Sequence, residues 1–382
     1  MRLTLLALLI FGTYCTAGTC VCAQDQQPSV LTDQQWEDVD ASVERGLHWI
    51  AQQQERNGAF PTLPQGQPAV TSLCVLAFAA HGHLPGEGPY GETLSSAVDF
   101  ITSCQKPSGL NALVGPAGTK VSRNVSHEVG STAAYNHAIA SLTMSELYGI
   151  VGQTESTKLR PLVEKSLTAS LAMQDWPSDR KIDEGGWRYL HKFQGINADL
   201  SITGWELMFL RSAKNAGFDV PPESVDNAVE YVKRCFDSEY KTFVYKLEAA
   251  DARSRAMSGA GVLALAHAGM HNTDEARQAS DWILRHNFSN YNQRKRFTSS
   301  PQKDRYHYSL FNCTQAMYQM GDNYWQQFFP HVAKVVLDNQ NANGSWQADS
   351  HEHETRFGQA YTTSLVLLTL AAPNQLLPIF QR

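Results

Sequence analysis

Apolar positions along the chain recur at helical spacing, in segments separated by turns that contain glycine or proline. The segments come in pairs, and about six pairs follow one another at a period of roughly 50 residues. The second helix of each pair is predicted at 69–80, 131–148, 205–214, 255–267, 310–320 and 361–370. A repeat of this length indicates an architecture of stacked helical hairpins.

The turn inside several pairs carries the same chemistry. A glutamine ends the first helix, and a glycine followed by an aromatic residue begins the connection. Glycine permits the positive φ that a helix end often needs, and the aromatic ring can pack beneath the hairpin. We therefore expect Gly186 to adopt a conformation closed to other residues and Trp187 to be buried. The recurring residues are Gln54, Gln105, Gln174 and Gln340, with Gly58-x-Phe60, Gly186-Trp187 and Gly344-x-Trp346.

The two helices of a pair differ in composition. First helices carry charges on one face, as helices at a protein surface do. Second helices are rich in Ala, Gly, Ser and Thr and nearly free of charge, as helices covered on most sides are. One ring of helices inside another satisfies both patterns, and an open solenoid of hairpins is the alternative. The small residues of the second helices favour the closed ring, whose concave side is crowded.

Composition and charge narrow the class of protein. Apolar residues make up 42% of the chain and the net charge is −6. A negative net charge argues against nucleic acid as a partner, because phosphate binding needs a concentrated basic surface. The densest basic run, 294–296, is interpreted as a solvated loop.

The sequence predicts that the two ends of the chain lie outside the folded domain. Residues 1–23 have a short positive start, an apolar stretch too short to span a bilayer, and small residues before Gln24, as in a cleaved signal peptide. We expect a secreted or periplasmic protein with no transmembrane segment in the mature chain. Residues 24–40 are predicted to be a polar leader, 41–378 a single domain and 379–382 a tail. The cysteines that remain, interpreted as small buried hydrophobes, are Cys74, Cys104, Cys235 and Cys313.

The turn from Gln340 to Trp346 resembles the repeats of squalene–hopene cyclases and of protein prenyltransferase β subunits. Both families are α/α toroids. The stretches 135–138, 185–189 and 199–205 are similar to a bacterial exported branch of this superfamily. The resemblance implies an all-α fold, an α/α toroid of about six helical hairpins with inner and outer helix rings.

The signature sites of those families are degraded here. Cyclases protonate an alkene with the middle Asp of Asp-x-Asp-Asp, and Asp199 takes that position without acidic neighbours. Prenyltransferases bind zinc through an Asp-x-Cys pair and a His. The chain has no Asp-x-Cys, and His307 alone would not hold zinc. The sequence therefore predicts no metal and no cofactor, and adjacent positions in 351–354 are a weak candidate for adventitious metal binding.

Candidate site residues come from the loops that enter the second helices. In a toroid these helices run parallel, so their N-termini and positive dipole ends meet at one mouth. Asp199 is also a candidate helix N-cap, and Trp205 a candidate packing residue. The catalytic candidates are Asp199, Glu128 and His127, and the ligand-binding candidates are Tyr135, Trp205, Arg255, Tyr306, His307 and Tyr361.

Three functions remain open at this point. The first is a binding protein that holds a hydrophobic or isoprenoid-like small molecule or lipid in the toroid cavity and has lost the cyclase chemistry. The second is an active terpenoid cyclase or prenyl-handling enzyme. The third is a carbohydrate-active lyase or hydrolase, for which Glu128 and Asp199 are the carboxylate pair. The sequence leaves the oligomeric state open.

Overall fold

The computed structural model describes residues 30–191, 195–248, 253–293, 297, 304–348 and 352–382. The predicted signal peptide, the basic run at 294–296 and His351 lie outside these residues, as do the side chains of 352–354. Two short antiparallel strands, β1 (Phe236–Asp237) and β2 (Thr242–Phe243), accompany the helices. The helices are α1 (Asp33–Gln52), α2 (Ala69–Ala80), α3 (Gly91–Ser103), α4 (His127–Ile150), α5 (Gln153–Gln174), α6 (Leu200–Asn215), α7 (Pro222–Arg234), α8 (Arg255–His267), α9 (Asp274–Arg285), α10 (Tyr306–Met320), α11 (Asp322–Leu337) and α12 (Glu352–Leu370).

The even-numbered helices form a closed inner ring. Each packs on the next, and α12 packs on α2, so the ring has no free end. The odd-numbered helices lie outside it. The prediction of an all-α, α/α toroid with inner and outer rings is therefore confirmed, and the open solenoid is excluded. All of α2 is buried, whereas α1 buries one face.

The N-terminal boundary of the fold was predicted too late. Helix α1 begins at Asp33, within the segment assigned as a polar leader. Its N-cap Thr32 accepts the backbone N–H of Gln35, whose side chain accepts the N–H of Thr32 in return. This capping box satisfies two backbone donors, which is why the helix extends into a polar stretch.

The recurring glutamines join neighbouring hairpins. The side-chain amide of Gln174 donates to the carbonyl of Gly185 in its own turn, at 2.8 Å, and to that of Ser224 in the next outer helix, also at 2.8 Å. Gln340 makes the same pair of bonds to Gly344 and, across the ring, to Ser42. Helix α11 is thereby fastened to α1, which closes the outer ring. Gln54 bonds Gly58 and Thr93, and Gln105 bonds Leu162.

The glycine of each turn packs against the next outer helix, the same helix to which the glutamine of that turn is hydrogen-bonded. Gly185 has φ +87°, and a Cβ on it would overlap the carbonyl oxygen of Asn227 in α7. The prediction named Gly186 instead, which was wrong: Gly186 has no positive φ, although a Cβ there would lie 2.7 Å from that of Ala198. Trp187 is buried as expected, at 2% exposure, and its indole donates to the carbonyl of Ser170 at 2.8 Å.

A polar chain is buried between α4, α5 and α6. The backbone N–H of Asn111 donates to Nδ1 of His137, whose Nε2 lies 3.0 Å from Ser170 Oγ, and Ser170 donates to Glu206 at 2.7 Å. Burial raises the pKa of Glu206 to about 8 and lowers the pKa of His137 to about 3. Both groups are therefore uncharged at neutral pH. His137 is a satisfied core histidine, as its position inside a helix suggested.

Aromatic rings fill the lumen of the inner ring. Trp205 stacks on Phe311 at 5.6 Å between ring centroids and lies 6.4 Å from Tyr308 on the mouth side. On the opposite side Phe311 meets Phe380, at 6.0 Å. Residues 379–382 were assigned as a tail, but Ile379 and Phe380 are buried and close the lower end of the lumen.

The cysteines are buried and unpaired. Cys74, Cys104, Cys235 and Cys313 all lie in the core as free thiols, so they behave as the small hydrophobes predicted. No helix within the described ranges is long and apolar enough to cross a membrane.

Candidate functional site

The mouth of the toroid is built from the first turns of the inner helices. Ser126, Asp199 and Ser254 cap α4, α6 and α8, each accepting the backbone N–H three residues further along the chain. The positive ends of the inner helices point to the same side of the ring. Polar and anionic groups of a ligand are therefore favoured at this end.

A cavity of about 80 Å³, open toward solvent, lies at the mouth between α2, α4, α10 and α12. Val70 and Leu73 give it one apolar wall, and the tyrosines of the other helices give it hydroxyl groups. Tyr135 donates to Ser201 Oγ at 2.8 Å, and Ser201 shares a hydrogen bond of 2.9 Å with Tyr308. A cavity holds one water when it offers about 10–15 Å³, so this one has room for several atoms of a ligand.

Asp199 lies behind this cavity and is fully buried. One of its oxygens accepts the N–H of Ile202, and the other accepts Arg188 Nη1 at 3.0 Å and the hydroxyl of Tyr245 at 3.2 Å. Burial raises its pKa, while Arg188 and the hydrogen bonds lower it. Burial lowers the pKa of Arg188, whereas the nearby Asp199 raises it. The net effect is a raised pKa, so the guanidinium stays charged. Asp199 is thus an N-cap and a counter-ion, which contradicts its prediction as an accessible acid.

The tyrosines around the cavity remain protonated. Burial raises the pKa of Tyr135 and of Tyr245 well above 10, and it raises the pKa of Tyr189 as well. The hydroxyls of Tyr189 and Tyr245 lie 2.6 Å apart. The guanidinium of Arg188 stacks over the ring of Tyr189, 4.5 Å from its centroid. The site therefore presents neutral phenols that can both donate and accept hydrogen bonds.

Among the described residues that line the cavity, Arg305 is the charged one. It is the N-cap residue of α10 and is partly buried. Burial opposes its charge, but the oxygens of Tyr135, Tyr361 and Tyr189 favour it, and its pKa is raised. These neighbours are neutral at physiological pH, so they supply dipoles and no counter-charge.

The rim of the mouth carries the other predicted catalytic residues. His127 is exposed and stacks on His191 at 4.4 Å, and His191 stacks on Tyr189 at 5.4 Å. Burial lowers the pKa of His191. Glu128 is exposed and forms an ion pair with Arg356 from α12. His127 and Glu128 are accessible, whereas Asp199, the other carboxylate of the predicted pair, is buried.

The predicted ligand-binding residues divide into two groups. Tyr135 and Tyr361 line the cavity as expected, and Trp205 lies in the lumen packing below it. Tyr306 and His307 are buried on another face of α10, where His307 Nε2 lies 2.8 Å from the hydroxyl of Tyr291. Their prediction as mouth residues is therefore contradicted.

Arg255 also lies away from the mouth cavity. Its guanidinium is fully buried, bonds Asp304 at 2.6 and 2.9 Å, and donates to the carbonyls of Asn287 and Gln293. It also stacks 4.0 Å over the ring of Phe288. The donors of Arg255 are used inside the protein, so the ligand-binding prediction for it is wrong.

Sequence reasoning missed Arg305, Tyr308, Tyr189 and Tyr245. Arg305 and Tyr308 both line the cavity, but Arg305 is the N-cap of α10 with an extended backbone, so helical phase alone does not relate the two. Tyr189 and Tyr245 come from loops, and nothing in their local pattern indicates that they meet. Within the described residues, no three His, Cys, Asp or Glu side chains group closely enough to hold a metal ion.

The fold and mouth define an α/α toroid with a tyrosine-lined cavity, and solved structures of that fold are similar to this chain. No protein-family model matches it, and no curated protein matches it. The solved structure of a glycosidase variant aligns with a TM-score of 0.58 at 12% identity, over 91% of this chain and 100% of that one.

Two further structures show the breadth of the fold. The family 76 glycoside hydrolase (mannosidase) Bt3792 of Bacteroides thetaiotaomicron aligns with a TM-score of 0.58 at 10% identity, over 87% of this chain and 97% of that one. The type II terpene cyclase MstE from Scytonema aligns with a TM-score of 0.54 at 14% identity, over 89% of this chain and 100% of that one. At these identities the similarity shows the fold alone, which hosts unrelated chemistries.

Proposed function

We propose that the protein binds a carbohydrate, with one end of the sugar seated in the mouth cavity. The observation that carries the proposal is the contrast between the lumen and the mouth. Rings from Phe380 to Tyr308 fill the lumen, whereas the mouth keeps an open cavity whose floor is a row of hydroxyls. The space that this cavity offers to a ligand is therefore short, with apolar walls and a few hydroxyl groups beside them.

The chemistry of the cavity matches that of a sugar. A pyranose presents hydroxyls that donate and accept, and the hydroxyls of Tyr135 and Tyr308, which line the cavity and bond the buried Ser201, can do both. The rings of Phe357 and Tyr361, 5.8 Å apart, offer flat apolar surface for the C–H face of the sugar. Pockets with aromatic walls and a few placed polar groups are typical of small-molecule sites.

The proposal is binding and does not extend to hydrolysis by a carboxylate pair. That reaction needs one carboxyl that gives a proton and a second that attacks or activates water. Asp199 has both oxygens engaged in the interior, and Glu128 is paired with Arg356 at the rim.

Isoprenoid binding is the second candidate, favoured by the aromatic lumen itself. The cyclase MstE has been solved with geranylgeranyl dihydroxybenzoate as its substrate. Small-molecule pockets usually offer about 300–1,000 Å³, and this cavity offers about 80 Å³. A long chain would enter only if the Phe380 segment or Trp205 moved.

Export is part of the proposal. A cleaved segment at 1–23 would place the protein outside the cytoplasm, where polysaccharides are abundant and free isoprenoids are scarce. The measurement is detection of the mature N-terminus near Gln24 in protein recovered from the producing cells.

The binding test is calorimetric titration with D-glucose, D-mannose, D-glucuronate, farnesol and geranylgeranyl diphosphate. We expect at least one sugar to bind and Tyr135→Phe to weaken it by about twofold to tenfold, the value of one hydrogen bond. Tyr324→Phe is the matched control, since that hydroxyl bonds Asp281 on the outer surface. Binding of the isoprenoids with no sugar binding would transfer the assignment to the second candidate.

A further inference from the structure

We propose that the ligand of the mouth cavity carries a carboxylate, which Arg305 binds, so that the sugar is an acidic one such as a uronate. This rests on the proposed function for the sugar part of the ligand. The carboxylate part rests on separate observations about the charge balance at the mouth.

The first observation is that Arg305 lacks the partner that comparable arginines have. The buried arginines Arg188, Arg253 and Arg255 each pair with an aspartate, at 3.0, 3.3 and 2.6 Å. No carboxylate of the described residues lies within ion-pair distance of Arg305, whose electrostatic neighbours are tyrosines. A partly buried guanidinium without an anion is costly, because its charge has lost water and gained no opposite charge.

The second observation is the position of Arg305 in its helix. It occupies the N-cap position of α10, at the positive end of the helix dipole. A cation is unfavourable there, and the aspartates that pair with the buried arginines are absent from this cavity lining. An incoming anion would be stabilised by the guanidinium and by the helix end together.

The third observation fixes the kind of anion. Arg305 supplies one positive charge to the cavity lining within the described part of the chain, so a singly charged group balances the site, whereas a phosphate would bring close to two negative charges. A carboxylate is planar and fits the two-pronged donor geometry of arginine. The hydroxyls of Tyr135 and Tyr308 already bond Ser201, and each keeps further hydrogen-bonding capacity for the neighbouring hydroxyls of the same sugar.

The test compares D-glucuronate, D-glucose and benzoate by titration calorimetry on wild type, Arg305→Gln and Arg305→Lys. We expect glucuronate to bind more tightly than glucose, and Arg305→Gln to lose about tenfold or more in glucuronate affinity with no change for glucose. Arg305→Lys should recover part of the loss, because it restores charge but not the planar fork. Arg356→Gln is the control, since it removes the same charge at the rim, outside the cavity lining.

The outcomes separate the two proposals. Equal affinity for glucose and glucuronate, unaffected by Arg305→Gln, would overturn the carboxylate and leave sugar binding intact. Binding of benzoate that Arg305→Gln abolishes, with no sugar binding, would keep the carboxylate and remove the sugar. An equal loss of glucuronate affinity in Arg356→Gln would overturn the role of Arg305, because the attraction would then be a general charge effect.

Discussion

The turn glycines hold the ring together, and Gly185→Ala tests this directly. Gly185 has φ +87°, and a Cβ on it would overlap the carbonyl oxygen of Asn227 in the next outer helix. The left-handed backbone costs alanine about 1–2 kcal/mol. Overlap with a backbone atom adds about 1–3 kcal/mol, since α7 must shift to relieve it. The expected loss in the free energy of unfolding is therefore about 2–5 kcal/mol.

Gly217→Ala is the matched control for backbone conformation. Gly217 has φ +84°, and no heavy atom lies within 4 Å of the position its Cβ would take. It should therefore lose only the backbone contribution of about 1–2 kcal/mol. At about 2 °C per kcal/mol for a domain of this size, Gly217→Ala should melt about 2–4 °C below wild type and Gly185→Ala about 4–10 °C below it.

Differential scanning calorimetry on the three proteins decides between the two contributions. Equal melting temperatures for Gly185→Ala and Gly217→Ala would refute the docking argument, because only the backbone contribution would then be present. Gly344→Ala extends the test to the closure of the ring, since a Cβ there overlaps the carbonyl of Arg45 in α1. It should lower the single transition of the whole domain by a similar amount.

Three further predictions concern the interior. Trp187→Ala should cost about 3–5 kcal/mol in urea denaturation, because it leaves a cavity and strips Ser170 of its indole donor; an unchanged midpoint would mean an exposed indole. Glu206 keeps its proton in the folded state up to about pH 8. Its contribution is therefore full below the unfolded pKa, about 4.3, and is lost as the pH rises through about 8. Melts at about pH 4 and about pH 9, on either side of that range, should show this, and Glu206→Gln should flatten the difference. Asp199→Asn should cost about 3–5 kcal/mol by removing the carboxylate of a buried pair, and a double-mutant cycle with Arg188→Gln should show coupling; simple additivity would contradict it.

The fold could be predicted from sequence because its determinants are local and repeated. Helical periodicity indicated the hairpins, the composition of the second helices indicated the inner ring, and glutamine and glycine marked the turns. Sequence could not say that Gln340 bonds Ser42, since that bond joins the two ends of the ring. It also could not say which of Gly185 and Gly186 has the positive φ, because two glycines stand side by side. Only the docking of α7 against Gly185 distinguishes them.

The site was predicted less well, for a reason that lies in helix geometry. The first turns of the inner helices supply it, as expected, but only one face of each first turn points into the mouth. Tyr306 and His307 face away from the cavity, while Arg305 and Tyr308 line it. To choose between these residues, one must know how α10 is rotated about its own axis. That rotation is set by the packing of α10 on α8 and α12, and the sequence of α10 alone does not determine it.

The lumen explains why the mouth is the place to look for function. Six parallel helices in a ring enclose a core that must be filled or left open, and here the rings of Trp205, Phe311 and Phe380 fill it. That filling contributes to stability through buried apolar area, and it also removes the deep pocket on which long hydrophobic substrates depend. At the mouth of the ring, the cavity that remains is lined by phenols and by Arg305. On the proposed function, ligand selection is a matter of hydrogen bonds and one charge, even though the fold that supports them is held together by apolar packing.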